Sequence, residues 1–215
     1  MAGESLVNHG ICGACGSREG FWRCDDCSGP VALCRGCMRG RHSQLPFHRI
    51  KWWNGRFYTR DWLVNLGGYI ALGHCGDPCP STLSAQIVSG AEPHLGPGSH
   101  INIYFSPSGT TQTPASAKSL IITHKNGVHK ISVIFCRCNG HASDDIQLIS
   151  ARLLPLSLQN IRSAFTFDVL EDFRLASSVC KVTAYAYFKK IRRHTDPVFA
   201  GRVKVCSIFH LAREG

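Results

Sequence analysis

The sequence of 215 residues predicts a small α+β fold, and three observations support this prediction. Three Cys-x2-Cys pairs and two histidines lie between residues 12 and 48. Farther along the chain, an Asn-Gly pair at 126–127 is flanked by β-branched runs, which is a strong signal for a β-hairpin. Towards the C-terminus, two segments show the apolar spacing of amphipathic helices.

The N-terminal cluster has the composition of a metal-binding module. Each Cys-x2-Cys pair can direct both sulfur atoms at one metal ion, as a tetrahedral zinc site requires. Eight ligands are enough for two closed sites with four protein ligands each, so we expect the metals to be structural rather than catalytic. The eight ligands are Cys12, Cys15, Cys24, Cys27, Cys34, Cys37, His42 and His48.

These ligands can be distributed over two zinc ions in two ways. A sequential arrangement would place residues 12–27 on one ion and 34–48 on the other. The spacers between the pairs are long enough for the chain to cross over itself, so we favour a cross-braced arrangement. In that arrangement the first zinc is held by Cys12, Cys15, Cys34 and Cys37, and the second by Cys24, Cys27, His42 and His48.

A third set of ligands follows the zinc module. The hairpin around residues 126–127 would end at Cys136 and Cys138, and a short apolar strand at 69–72 leads into a loop with His74 and Cys79. These four residues form a candidate third zinc site, with Cys75 as an alternative to His74 or Cys79. Because free cysteines are often simply buried in cores, packing is the competing interpretation.

Composition favours a folded chain in a reducing compartment. Hydrophobic residues make up 44% and charged residues 18% of the sequence. We see neither a signal peptide nor an apolar run of the ~20 residues that a membrane span needs. Twelve cysteines in such a chain point to zinc rather than to disulfides. We therefore expect no membrane partner.

The formal charge of +10 favours a polyanionic partner. Two zinc ions bound by six thiolates would reduce this charge to about +8. Basic residues concentrate in and just after the second half of the zinc module, with a second cluster at 189–193. A solvated surface and a complement to a helix dipole are the alternative explanations. The residues expected to contact nucleic acid are Arg35, Arg39, Arg41, Arg49, Lys51 and Arg56.

The sequence suggests the following domain organisation. We expect a flexible leader at 1–10, the two-zinc cross-braced module at 11–50, and a small mixed domain formed by 51–89 and 120–196. Residues 90–119, which are rich in Gly, Pro, Ser and Thr, are expected to be a disordered insertion or intron sequence in a faulty gene model. Residues 197–215 are expected to form an unanchored tail.

Within the mixed domain we predict helices at 59–66, from Asp168 onwards, and at 181–193, and a strand at 147–154. Thr59 is the expected cap of the first helix, and Asp168 with Glu171 forms a capping-box-like pair at the start of the second. The predicted apolar stripe of the last helix consists of Val182, Tyr185, Phe188 and Ile191.

Residues 22–50 resemble a ZZ-type zinc finger, a cross-braced two-zinc module related to B-boxes. The interval between His42 and His48 is wider than in a usual ZZ finger. Such fingers bind protein N-termini or tails, including histone tails, and Asp25 and Asp26 resemble their acidic contact residues. Both carboxylates could equally be surface residues that only tune the metal site.

Over most of residues 12–196 the order of motifs is similar to the cysteine-cluster domain associated with KDZ (Kyakuja–Dileera–Zisupton) transposases of fungi. After the zinc module, the matching pieces are Trp52, Phe57, 66–67, 72–74, 79–80, 126–129, 135–138, 147–148, 165–167 and 195–196. The family pattern usually carries an acidic residue where this chain has Ala186.

In that family the segment lies N-terminal to an RNase H-like domain that cuts DNA with three acidic residues and divalent metal. We expect this domain to be absent here, because 19 residues after Asp196 are too few for it. The resemblance thus implies a non-catalytic front end of a transposase in a truncated copy, with no enzyme activity and no small-molecule substrate. We expect a nuclear protein that targets DNA or chromatin; the alternative is a reader of protein tails.

Overall fold

The structure is a computed structural model that describes residues 10–29, 31–80, 101–105, 114–197 and 199–203, apart from the side chains of Cys75 and Arg202. The chain divides into two compact units. One is formed by Met1–Lys118 with Ile131–Asn139, and the other by Ser119–Lys130 with Gly140–Gly215. The first unit therefore extends well past residue 50, where we had expected the zinc module to end.

A three-stranded antiparallel sheet and one short helix form the start of the first unit. The strands are β1 (Trp22–Cys24), β2 (Ile50–Trp53) and β3 (Tyr58–Asp61), in the order β1-β2-β3, and the helix is α1 (Arg35–Arg41). The side chain of Asn54 accepts hydrogen bonds from the backbone N–H groups of Arg56 (3.0 Å) and Phe57 (2.9 Å) and so closes the turn between β2 and β3.

The prediction of a helix at 59–66 is therefore wrong. Residues 58–61 pair with β2, with Thr59 opposite Trp52, and only Leu63–Leu66 form a single 3₁₀ turn. β-branched and aromatic residues favour a strand here once the Asn54-Gly55 turn is formed. Gly67 ends the turn in a left-handed conformation, φ 83°, as the sequence suggests.

The first unit also contains strand β4 (Gly68–Ala71), which matches the predicted strand at 69–72 to within one residue. β4 pairs in antiparallel fashion with β5 (Ile103–Phe105) and in parallel fashion with the end of β7 (Gly127–Ile134). Because β5 lies within 90–119, the expectation of a structureless insertion is wrong for these residues. The alternating apolar residues of β5 are few, and the surrounding Gly, Pro, Ser and Thr residues masked their pattern in the sequence. Residues 81–100 and 106–113 lie outside the described part of the chain.

One core joins the metal-binding segment to this part of the sheet. Met38 and Ile50 are fully buried, and they pack in a cluster with Leu66 and Ile103. The backbone carbonyl of Ser43 accepts a hydrogen bond of 2.7 Å from the N–H of Ile103. The N-terminal ligands therefore belong to the same folded unit as β4 and β5.

The second unit contains helices α2 (Asp144–Ser150), α3 (Phe167–Cys180) and α4 (Ala184–Thr195) and the first half of β7, and its strands follow the order β7-β6-β9-β8. β6 is Lys118–His124, β8 is Leu153–Pro155 and β9 is Ser163–Thr166. The predicted hairpin is confirmed, since β6 and β7 flank residues 125–126. The two C-terminal helices are confirmed as well.

Two local predictions in this unit are wrong. Residues 147–150, predicted as the first part of a strand, lie in helix α2, because Asp144 and Asp145 complement the dipole of its first turn. The cap of α3 is Thr166, whose hydroxyl accepts a hydrogen bond from the N–H of Val169 (3.2 Å), whereas Glu171 pairs with Arg174.

The apolar stripe of α4 also differs from the prediction. The helix begins after Thr183, so Val182 precedes it, and the buried tyrosine is Tyr187 rather than Tyr185, which is 67% exposed. Val203 packs against the same core, so the predicted tail is attached there; residues 204–215 lie outside the described part. Of the helices that the structure describes, none has the length and apolarity needed to span a membrane.

Candidate metal centres

Three groups of cysteine and histidine side chains lie in the first unit, and within each group the ligand atoms are no more than 4.8 Å apart. Sites 1 and 2 are formed by the two sets of the cross-braced arrangement, not by the sequential sets. Site 3 is the predicted third set. The members are Cys12, Cys15, Cys34 and Cys37 in site 1, Cys24, Cys27, His42 and His48 in site 2, and His74, Cys79, Cys136 and Cys138 in site 3.

Site 1 is built around the start of α1. Cys34 is the N-cap of this helix, and its Sγ accepts a hydrogen bond of 3.5 Å from the N–H of Cys37. The Sγ atoms of Cys15 and Cys34 are 4.0 Å apart. Hydrogen bonds from Ser17 lower the pKa of Cys15 to about 6, whereas the hydrogen bond with Cys34 raises the pKa of Cys37 to about 12. Because a metal ion binds thiolates rather than thiols, metal binding at this site would release protons.

Site 2 uses two histidines in different orientations. The Nδ1–H of His42 donates to the carbonyl of Met38 (2.9 Å), which leaves Nε2 to face Cys27 Sγ at 3.5 Å. His48 instead presents Nδ1, which lies 3.4 Å from Cys27 Sγ and 3.5 Å from Cys24 Sγ. Burial lowers the pKa of both histidines and so favours the neutral imidazole that a metal ion binds.

An ion pair closes the loop of site 2. Asp26 accepts hydrogen bonds from the backbone N–H (2.6 Å) and the guanidinium Nη2 (2.7 Å) of Arg49, the residue after His48. The N–H of Asp25 donates to the carbonyl of Arg49 (2.9 Å), and its carboxylate pairs with Lys51 at 2.8 Å. Both acidic residues considered for peptide binding therefore have basic partners within the chain.

Site 3 lies where the parallel strands β4 and β7 end. The N–H of Leu72 donates to the carbonyl of Ile134 (2.9 Å), which aligns the segment with His74 beside the segment with Cys136 and Cys138. His74 Nε2 lies 3.4 and 3.5 Å from these two sulfur atoms. Cys79 Sγ lies 3.6 Å from Cys136 and 3.3 Å from Cys138. The alternative ligand Cys75 has a side chain outside the described part.

The donor distances fit a tetrahedral metal ion. Ideal zinc coordination separates two sulfur atoms by about 3.8 Å, and a sulfur from a nitrogen by about 3.5 Å. The sulfur separations given above run from 3.3 to 4.0 Å and the sulfur–nitrogen separations from 3.4 to 3.5 Å, and every other pair of ligand atoms within a group lies within 4.8 Å. Disulfide bonds, at about 2.05 Å, are excluded at these distances. The three sites are thus geometrically suited to metal ions, and Cys/His sets of this kind suit zinc.

The predicted basic contacts fall into two groups. Arg49 and Lys51 are engaged with Asp26 and Asp25, as described above. The other four are placed as follows: Arg35 donates to the carbonyl of Leu66 (3.4 Å), Arg39 lies 5.0 Å from the centre of the Phe105 ring, and Arg41 and Arg56 are exposed.

Two features of the candidate metal sites were not predicted from the sequence. The Asp26–Arg49 pair could have been suspected only from the position of Arg49 directly after a ligand. Gly73, which lies against Cys136, carried no signal beyond its place before His74.

A comparison with protein families supports the resemblance drawn from the sequence. Residues 98–198 match the family described as a CxC2-like cysteine cluster associated with KDZ transposases. This part of the chain is CxC2-like. The prediction of a KDZ-associated cysteine cluster is therefore confirmed over that range. No curated protein and no solved structure matches the chain.

The CxC2-like segment contains Cys136 and Cys138 of site 3, strands β5–β9 and helices α2–α4. It begins inside the stretch 90–119 that was expected to be an insertion. Sites 1 and 2, with His74 and Cys79, precede the matched residues. Site 3 therefore joins ligands of the CxC2-like segment to ligands that lie before it.

Proposed function

We propose that this protein is a zinc-stabilised, non-catalytic module that targets DNA or chromatin and derives from the N-terminal region of a KDZ-type transposase. Each of the three sites would hold one zinc ion. Support for this comes from the CxC2-like segment and from four protein ligands in every site, which leave no open coordination position for a reacting water. A nuclear location follows from this proposal.

The observation that carries the DNA-binding part is the charge of α1. This helix of seven residues contains Arg35, Arg39 and Arg41 and no acidic residue in its first turn. Arg35 and Arg39 are one helical turn apart, where like charges repel. Burial, and then the charge of Arg35, lowers the pKa of Arg39. A phosphate backbone would relieve this repulsion.

Site 1 would give this basic helix a fixed position. Cys34 caps α1 and Cys37 lies in its first turn, so the metal would hold the helix at two points. Arg41 and Arg56 are exposed, so their substitution should not disturb packing. The module would bind through phosphates, and nothing in α1 favours contact with particular base pairs.

The test is DNA binding as a function of salt. The double variant Arg41→Gln/Arg56→Gln should bind a labelled duplex more weakly, and its slope of log affinity against log salt should decrease by about two. Lys130→Gln/Arg162→Gln, which removes the same charge from exposed positions of the second unit, is the matched control. Equal binding by both double variants would contradict the proposal.

The second candidate function is recognition of a protein N-terminus or histone tail through Asp25 and Asp26. The observation in its favour is the position of two adjacent carboxylates in the loop between two ligands of site 2. A ligand amine would have to displace Lys51 from Asp25. Asp25→Ala should then abolish binding of a histone-tail peptide and leave DNA binding unchanged, whereas the reverse outcome favours the DNA-binding function.

A further inference from the structure

The sheet formed by β1, β2 and β3 has a face with an unusual row of charges. Side chains alternate between the two faces of a strand, and residues in register lie side by side. Arg23 of β1 lies opposite Lys51 of β2, which in turn lies opposite Arg60 of β3. Three basic side chains therefore occupy neighbouring positions on one face.

This row is electrostatically unfavourable by itself, since like charges directly opposite each other destabilise a sheet. Asp25 offsets part of the charge: its carboxylate lies 2.8 Å from Lys51 and 3.8 Å from Arg23. Arg60 extends over the ring of Trp62, 4.4 Å from its centre. The row carries three positive charges, and the ion pairs of Asp25 are with two of these residues, Lys51 and Arg23.

Aromatic side chains form the next row on the same face. Trp53 of β2 lies opposite Tyr58 of β3, with ring centres 5.1 Å apart. On the other side, the N–H of Trp53 donates to the carbonyl of Phe21 (2.8 Å), and Phe21, two residues before Arg23, is on the same face by alternation. The guanidinium of Arg23 lies 4.8 Å from the centre of the Tyr58 ring.

The β2–β3 turn directly follows the aromatic row along the strands. It contains Phe57, which is 51% exposed, and Arg56, which is exposed. Trp53 and Phe21 are half-buried, so part of each ring faces outwards, whereas Tyr58 is covered. A row of cations thus crosses the three strands parallel to a row of rings, and the rings lie next to the turn that carries Phe57.

We propose that this face of β1–β3 binds single-stranded nucleic acid. Surfaces that combine a positive track for the phosphate backbone with rings on which bases stack bind single strands with little sequence preference. A duplex keeps its bases stacked and paired, so it could use the basic row but not the rings. This inference rests on the proposed function, to which it adds the form of the nucleic acid and the surface that binds it.

The experiment compares a labelled oligothymidylate, an oligouridylate and a duplex of equal length, with the zinc-loaded full chain. Arg23→Gln/Arg60→Gln should weaken binding of both single strands about tenfold or more and reduce their salt slope by about 1.4. Trp53→Leu should weaken single-strand binding by about fivefold to 100-fold, because one stacked base is lost. In the wild type, single strands but not the duplex should quench tryptophan fluorescence, and Trp53→Leu should reduce this effect.

Three further measurements keep the outcomes separate. Arg23→Lys/Arg60→Lys, which keeps both charges, should retain the salt slope, and the metal content of every variant reports whether the unit has folded. Lys130→Gln/Arg162→Gln is again the charge-matched control and should leave single-strand binding unchanged. A preference for oligothymidylate or oligouridylate would identify DNA or RNA as the source of the strand.

Three results would overturn the inference in different ways. If Arg41→Gln/Arg56→Gln impairs duplex binding while folded Arg23→Gln/Arg60→Gln binds single strands normally, the single-strand surface is wrong and the proposed function stands. If no nucleic acid binds the wild type, both fail. Competition by polyglutamate that depends on Arg23 and Arg60 but not on Trp53 would assign the face to an acidic protein instead.

Discussion

Gly73 lies so close to Cys136 that a Cβ atom at Gly73 would be 2.6 Å from the Cβ of Cys136. The backbone at Gly73 has φ 81°, a region that L side chains rarely adopt. The close approach to Cys136 and the positive φ both occur where the end of β4 approaches the end of β7. Site 3 therefore depends on a residue that is not itself a ligand.

Gly73→Ala should remove the metal from site 3 and leave sites 1 and 2 loaded. The added methyl group would push the segment that carries His74 away from Cys136, and the positive φ adds strain. Metal content per chain should fall from three to two. Gly55→Ala is the matched control, because Gly55 also has a positive φ (97°) but a Cβ there would meet nothing within 4 Å. Three metals in both variants would contradict this account of site 3.

The Asp26–Arg49 pair should control the metal affinity of site 2. Asp26→Asn weakens the clamp that holds the Cys24–Cys27 loop against the residue after His48, so we expect about a tenfold to 100-fold loss of affinity at this site. Competition with a chromophoric chelator would measure it. Asp25→Asn, which loses pairs to Lys51 and Arg23, should have a smaller effect, and equal losses in the two variants would rule out a special role for Asp26.

The Tyr187–Asp172 contact should make the stability of the second unit depend on pH. The hydroxyl of Tyr187 donates to Asp172 at 2.5 Å; this bond, with a contribution from Lys190, holds the pKa of Asp172 below its ordinary value. Burial, and then Asp172, raises the pKa of Tyr187. The stability that Asp172 contributes is fully present above the pKa of Asp172 in the unfolded state. It is lost as pH falls through the lower pKa that Asp172 has in the folded state. The Tyr187 contribution is present below about pH 10 and is lost as pH rises further.

Tyr187→Phe removes the dependence that comes from Tyr187 and weakens the one that comes from Asp172, which keeps its ion pair with Lys190. The variant should be less stable by about 1 kcal/mol at neutral pH, since one hydrogen bond to a partly exposed carboxylate is lost. Above about pH 10 the free energy of unfolding of the wild type should decrease more steeply than that of the variant. Urea unfolding monitored by circular dichroism between pH 6 and pH 11 would measure this, and parallel curves for the two proteins would refute it.

Thr195 should anchor the end of α4 to the hairpin. Its Oγ1 accepts a hydrogen bond from the N–H of Val128 (2.8 Å) and donates to the carbonyl of Ile191 (2.9 Å). Thr195→Val keeps the shape but removes two buried hydrogen bonds, so we expect a loss of about 1–3 kcal/mol. Thr59→Val, at an exposed hydroxyl that donates to Trp52, should lose less than about 0.5 kcal/mol. If the two variants lost similar amounts of unfolding free energy, the buried contact of Thr195 would not be the anchor proposed.

The groups of candidate metal ligands could be predicted because their chemistry is local in sequence. Each Cys-x2-Cys pair must face one metal, and the long spacers favoured the cross-braced arrangement that the structure has. Site 3 could be predicted for a related reason, since the hairpin around Asn126-Gly127 determined that Cys136 and Cys138 would follow the end of its second strand. By contrast, the same Asn-Gly signal at 54–55 was overlooked, so β3 was taken for a helix.

Other features depend on contacts that are distant in sequence. The three residues of β5 are held by pairing with β4 and by the N–H of Ile103, so local composition concealed them. Residues 144–150 contain an apolar pattern that suits either a strand or a short helix, and the acidic first turn decided in favour of the helix. The row of Arg23, Lys51 and Arg60 exists only once the register of three strands is known.

The most direct test of the account is the number of metal ions bound to the purified chain. Native mass spectrometry, combined with elemental analysis, should find three zinc ions per chain, one for each group of four ligands. Two zinc ions would show that His74, Cys79, Cys136 and Cys138 are packed without metal. A chain that folds with no bound metal would contradict the central claim that these clusters are metal sites.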